Sequence, residues 1–251
     1  MDNFERVRAQ FDALAYMRHP QATLMRDLII ASDARDILEI GFYHGKSSAY
    51  FAAILEDLGR GHLVTIDRQS ARNREPNIER VLSTLGLAHR VTPVFAERSY
   101  TWELGKMVRA MPRPQFDLCY FDGGHTWDGT GFGFVLVDML LRPGGWIVFD
   151  DLKWTMEAAM RNGAKVPRHW RACSEDERAA PGVKLVFDLL VPHLGYTDTR
   201  TINGGWWGIA RKPLDGAPNP AQPRASAFMR ILHTLTRRAI ARHRVFPRTR
   251  Q

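Results

Sequence analysis

Apolar and polar positions along the chain follow two periods. Short apolar runs at 36–40, 62–66, 91–95, 116–121 and 145–149 have the length of buried strands. Between them apolar residues recur at helical spacing over 47–58, 78–87, 102–110 and 132–141. Strands separated in this way by helical crossovers predict a parallel sheet covered on both faces, with right-handed connections. The pattern then changes to a helix over 183–190 and two strand-like runs, 196–202 and 205–211, joined at Asn203-Gly204 as in a hairpin. The expected fold is therefore a doubly wound α/β domain, a mostly parallel seven-stranded sheet with an antiparallel closing hairpin. Ahead of it, Phe4, Val7, Phe11, Leu14 and Met17, then Leu24, Leu28 and Ile29 after Pro20, predict N-terminal helices packed on the sheet edge. A cofactor cover or a dimer contact are alternative roles for them.

A chain of 251 residues with 45% hydrophobic content can bury one full core. The expected division is a helical cap at 1–30, a main domain at 31–213 and a Pro-containing linker with a basic tail at 214–251. The net charge of +8 lies almost wholly in that tail, where eight arginines follow Pro213 against Asp215 alone. In it, Phe228, Ile231, Leu232, Leu235 and Ala239 share a helical stripe, so residues 225–246 could meet an anionic membrane surface or a protein partner. The near-neutral body offers no matching basic face for nucleic acid. Cys119 and Cys173 are too few for a disulfide framework or a thiolate zinc site. No apolar run approaches the roughly 20 residues of a membrane span, and the N-terminus lacks the layout of a signal peptide. A cytoplasmic protein is expected, with the tail as a candidate peripheral contact.

Chemistry-bearing residues gather where the predicted strands end. The first strand runs into Glu39-Ile-Gly41-Phe-Tyr-His44-Gly45-Lys46-Ser47-Ser48, a glycine-containing turn in which Ser47 or Ser48 would cap the next helix. It matches neither the dinucleotide fingerprint nor the Walker spacing. Glu39 beside it and Asp67 at the end of the second strand, where a carboxylate can bridge ribose hydroxyls, point to a cationic nucleoside ligand. Asp122 follows the fourth strand, and Asp150 and Asp151 follow the fifth. Neighbouring parallel strands release their ends on one edge, so these carboxylates would converge as ligands for a hard divalent cation. Helix capping by Asp150 and Asp151 and an Asx turn at Asp122 are the structural alternatives. The stretch 153–181, with His169 and Trp170, has the length of a substrate lid.

In these motifs the chain resembles the class I S-adenosylmethionine-dependent methyltransferases. It looks most like the macrocin and mycinamicin sugar O-methyltransferases and more distantly like catechol O-methyltransferase. The resemblance rests on Leu38-Glu39-Ile-Gly41-x-x-x-Gly45-x-Ser47, Ile66-Asp67, Phe121-Asp122-Gly-Gly-His125-x-Trp127, Asp138 and Leu141-x-x-Gly144-Gly145-x-Ile-x-x-Asp150-Asp151. It implies a Rossmann-like methyltransferase fold and a cofactor site at Glu39, Gly41, Gly45, Ser47, Asp67, Ala96, Glu97 and Asp122. It also implies Mg²⁺ on Asp122, Asp150 and Asp151, with His125 or Lys153 as proton acceptor. The acceptor would be a hydroxylated small molecule, a sugar unit of a glycosylated metabolite or glycolipid or a catechol-like ring, and the enzyme a homo-oligomer. Two other readings stay open: a metal site like that of the cephalosporin hydroxylases on the same fold, and a non-catalytic binding module anchored by its tail. A nucleic-acid methyltransferase is disfavoured by the absence of an Asn-Pro-Pro-Tyr/Phe motif after the fourth strand.

Overall fold

The computed structural model describes residues 1–163 and 167–214, apart from the side chains of residues 168 and 169. The linker, the basic stripe at 225–246 and the side chain of His169 thus lie outside the described residues. Two helices, α1 (Asn3–Phe11) and α2 (His19–Ala31), precede β1 (Asp36–Ile40). The alternating core follows as α3 (Lys46–Asp57), β2 (His62–Arg68), α4 (Ile78–Leu85), β3 (Val91–Ala96), α5 (Tyr100–Arg109), β4 (Phe116–Phe121), α6 (Trp127–Asp138) and β5 (Leu141–Phe149). Short helices α7 (Met156–Arg161), α8 (Glu175–Ala179) and α9 (Gly182–Leu185) lead to β6 (Thr197–Ile202) and β7 (Trp207–Arg211). The sheet has seven strands in the order β3-β2-β1-β4-β5-β7-β6, with β7 antiparallel to both of its neighbours. Among the described residues, no helix is long and apolar enough to cross a membrane.

Strand alternation divides the core into two layers. Ile37, Leu118, Tyr120 and Val148 face α1 to α4, whereas Leu38, Ile40, Cys119, Phe121, Ile147 and Phe149 face α5, α6 and the segment after α9. Nearly all of α3 is buried, from Ser48 through Leu55, so it serves as the central helix of its layer. Each large side chain so covered contributes about 1.5–3 kcal/mol relative to exposure. Cys119 and Cys173 are both free thiols.

Four boundaries depart from the sequence reading. α6 begins at Trp127, capped by the Thr126 hydroxyl, well before the expected residue 132. Gly129, Gly131 and Gly133 lower its propensity, yet Gly133 lets it close on the sheet, since a Cβ there would lie 2.7 Å from both Phe121 and Tyr100. β5 starts at Leu141, not Gly145, because the strand continues through Pro143 across a register shift against β4. The closing hairpin turns through Asn203, Gly204 and Gly205, all at positive φ, so β7 starts only at Trp207. The helix expected over 183–190 is wound partly as a π-turn at Val186–Leu190 and runs on to His193.

Candidate active site

At the carboxyl edge of the sheet the loops after β1, β2, β4 and β5, together with residues 15–18 between α1 and α2, enclose a cavity of about 980 Å³. Its floor is set by Gly41, at φ +89°, whose added Cβ would fall 2.0 Å from the Asp122 carbonyl oxygen. Only glycine allows the turn to lie so close to the end of β4. Gly45, also left-handed at φ +91°, ends the turn and is the N-cap residue of α3. The expected serine cap is therefore corrected: Ser47 faces the cavity, and the Ser48 hydroxyl donates to Glu39. Asp67 holds the turn from β2, its Oδ2 accepting the Phe42 and Tyr43 amides at 3.1 and 2.7 Å, and it faces the cavity.

Two expected cofactor contacts lie elsewhere. Glu39 does not line the cavity; it is fully buried beneath α3, with Oε2 accepting from Ser48 and from Thr65 at 2.6 Å. Its position in β1 alternates it inward, between Leu38 and Ile40 on the other face. Burial pushes its carboxyl up to about 7, against the hydroxyl hydrogen bonds that favour the ion, and Oε1 has no partner. Gly45 is likewise behind the wall, packed on Ile78. Ala96 is buried in β3 and Glu97 turns to solvent, so the cavity is reached from this strand by Arg98, Ser99 and Tyr100 instead.

The carboxylates after β4 and β5 do converge, but not in the expected set. One ligand atom each from Asp122, His125 and Asp151 lies within 4.8 Å of the others. His125 Nε2 stands 3.4 Å from Asp122 Oδ1 and 3.4 Å from Asp151 Oδ2. Asp151 reaches this place with φ +62°, a conformation uncommon outside glycine. Asp150 is turned away into the fold: one oxygen accepts the Tyr120 hydroxyl and the other the Asp151 amide at 2.6 Å. The candidate metal centre therefore replaces Asp150 by His125. Two carboxylates and an imidazole suit a divalent cation that accepts nitrogen as well as oxygen, Mn²⁺ as readily as Mg²⁺.

Electrostatics around the triad favour protons. Burial raises Asp122, and the nearby charges of Asp150 and Asp151 add to it against the hydrogen bond from His125. Burial alone would lower His125, but the Asp122 hydrogen bond and the three surrounding carboxylates outweigh it and hold the imidazole above its ordinary value. Burial is also the main cause that raises Asp150.

Lys153 is not brought to the triad. Its ammonium donates to the Gly204 carbonyl at 2.7 Å beside the Trp206 ring, and it does not line the cavity. Instead, indoles wall the space next to His125. Its ring lies 4.9 Å from Trp154, which meets Trp170 edge-on at 5.3 Å. Asp138, within the resembling motif, is structural: it accepts the Tyr196 hydroxyl at 2.8 Å. The reading of residues missed Lys46, Tyr120, and the wall formed by Ala15 to Arg18, whose helical flanks carried no sign of a cavity.

A family model described as a methyltransferase domain matches residues 38–152, which span the turn after β1, Asp67 and the whole triad. No curated protein sequence matches the chain. Among solved structures, the O-methyltransferase TomG from Streptomyces achromogenes, involved in tomaymycin synthesis and determined with SAM, is 22% identical over 84% of this chain and 87% of that chain, with a TM-score of 0.57. An O-methyltransferase from Bacillus cereus in complex with SAH is 18% identical over 84% and 90% of the two chains, with a TM-score of 0.57. MycE, from the mycinamycin biosynthetic pathway and determined with Mg, SAH and mycinamycin VI, is 14% identical, covering 88% of this chain and 57% of that one, with a TM-score of 0.54. The chain has the class I methyltransferase fold.

Proposed function

We propose that the methyltransferase domain at 38–152 moves a methyl group from S-adenosylmethionine to a hydroxyl oxygen of a small molecule with vicinal oxygens, a sugar unit or a catechol-like ring. The observation that carries this reading is the convergence of Asp122, His125 and Asp151 in the same cavity as the Gly41 turn and Asp67. The neighbours determined with SAM or SAH support the donor, and MycE with its Mg and macrolide supports a cation and a glycosylated acceptor.

The donor set fits both groups. The cleared floor at Gly41 admits close backbone approach, and Asp67 keeps one oxygen toward the cavity side of β2 for a ribose hydroxyl. Asp122, His125 and Asp151 would hold the divalent cation, which when bound supplies Lewis acidity toward a hydroxyl. S-adenosylmethionine supplies a methyl on a positively charged sulfur, open to in-line attack. The chain's own residues then position and deprotonate. Trp154 and Trp170 exclude water from one side and offer flat apolar faces to a ring. His125 is placed to take up the hydroxyl proton, and Asp122 beside it stabilises the resulting imidazolium. Holding the oxygen against the methyl group accounts for much of the barrier reduction in such a transfer.

Methyl-labelled S-adenosylmethionine incubated with a panel of catechols and glycosides, with Mg²⁺ or Mn²⁺, tests the reading. Label should move to an acceptor oxygen in the wild type and not in Asp122→Asn. Transfer to a nitrogen or carbon acceptor, or transfer unaffected in Asp122→Asn, would contradict it.

A further inference from the structure

Lys46 opens α3 beside the Gly41 turn, and it is 3% exposed. Its ammonium donates to two backbone carbonyls, Asp12 at 2.8 Å and Leu14 at 2.9 Å, in the segment joining α1 to α2. An ammonium has three donors, and among the described residues the third finds no acceptor. No carboxylate stands within ion-pair distance of it either. A cation this far from water, faced only by neutral carbonyls, is incompletely compensated. It borders the cavity next to Ser47, at a helix N-terminus that no side chain caps, so the exposed amides of that turn add a positive field in the same place.

We infer that Lys46 and the first turn of α3 form a carboxylate-binding subsite, and that its ligand is the amino-acid carboxylate of the methyl donor. This rests on the donor assignment made above. The glycine turn and Asp67 place a nucleoside on this side of the cavity, and the triad, which is acidic, would repel a carboxylate. The same ammonium also secures the segment that closes the cavity. Tyr16 and Met17 there have φ of +63° and +31°, and the Tyr16 ring meets Tyr43 at 5.0 Å. One cation thus joins the bound carboxylate to the strap lying over it.

Calorimetric titration of the full chain and of Lys46→Met, with S-adenosylhomocysteine and with 5′-methylthioadenosine, separates the alternatives. The second ligand keeps the nucleoside and lacks the amino acid. The expected result is a loss of about 10- to 100-fold for S-adenosylhomocysteine in the variant, the scale of a lost charged hydrogen bond, with methylthioadenosine affinity unchanged. Equal S-adenosylhomocysteine affinity in both proteins would overturn the inference and leave the donor assignment standing. An equal loss for both ligands would overturn it in favour of a purely structural lysine. If the wild type binds neither ligand, the donor assignment itself fails and the inference with it.

Discussion

Replacing Glu39 with glutamine isolates the electrostatic load of one buried carboxyl. Glu39 is fully enclosed, its ion held by Ser48 and Thr65 at Oε2 while Oε1 meets no donor, and burial raises it from 4.5 to about 7. A carboxyl whose folded value lies above its unfolded value takes up a proton on folding. Its stabilising contribution is therefore present below about 4.5 and is lost as the pH rises through about 7. A gap that wide corresponds to about 3 kcal/mol, taken as an order of magnitude. Glutamine imitates the protonated form and does not titrate, at the cost of an amide donor where Oε1 stood, about 1–3 kcal/mol. Urea unfolding of wild type and Glu39→Gln, followed by circular dichroism from pH 4.5 to 8.5, yields the stability difference at each pH and cancels all other titrating groups. That difference should move in favour of the variant by about 3 kcal/mol across the window. A difference that stays constant, or that moves against the variant with rising pH, would refute the argument.

Three further outcomes follow from the same geometry. Asp122→Asn removes one of the three converging donors, so Mn²⁺ binding measured by calorimetry should fall by at least about tenfold, the low end of a lost charged contact, while S-adenosylhomocysteine still binds. Gly41→Ala forces a methyl to within 2.0 Å of the Asp122 carbonyl at φ +89°; the backbone strain alone is about 1–3 kcal/mol, and thermal melts should show that loss together with lost nucleoside affinity. Because His125 is held above its ordinary value by the carboxylates that would also bind a cation, proton and cation compete, and Mn²⁺ affinity should climb between pH 6 and 8.5; in His125→Ala the residual affinity should lose most of that climb.

The strands β1 to β5 were legible because parallel strands buried on both faces read as unbroken apolar runs. Asp67, Asp122 and Asp151 were legible for a related reason, since a polar residue ending such a run must sit at the carboxyl edge. The choice between Asp150 and His125 was not. Which of two adjacent carboxylates turns toward the cavity depends on the positive φ of Asp151 and on Tyr120, a residue that reads as ordinary strand. The start of α6 was hidden by glycines whose worth lies in contact with β4, and propensity does not record tertiary contact. Lys46 read as part of a phosphate-loop lookalike, and its role appears only once residues 12–18 fold back over it. Lys153 shows the converse: adjacency to Asp151 in sequence put it near the chemistry, while its ammonium reaches the hairpin turn.

The central claim is that this cavity holds S-adenosylmethionine beside a cation-binding triad. Its most direct test is calorimetric titration of the wild type with S-adenosylmethionine and S-adenosylhomocysteine, with and without added Mg²⁺ or Mn²⁺, alongside Asp67→Ala. The account predicts saturable binding of both nucleosides at one site per chain, strongly weakened in Asp67→Ala, which loses both the ribose partner and the clamp on the Phe42 and Tyr43 amides. Absence of binding to the wild type under every condition, or binding indifferent to Asp67, would contradict it.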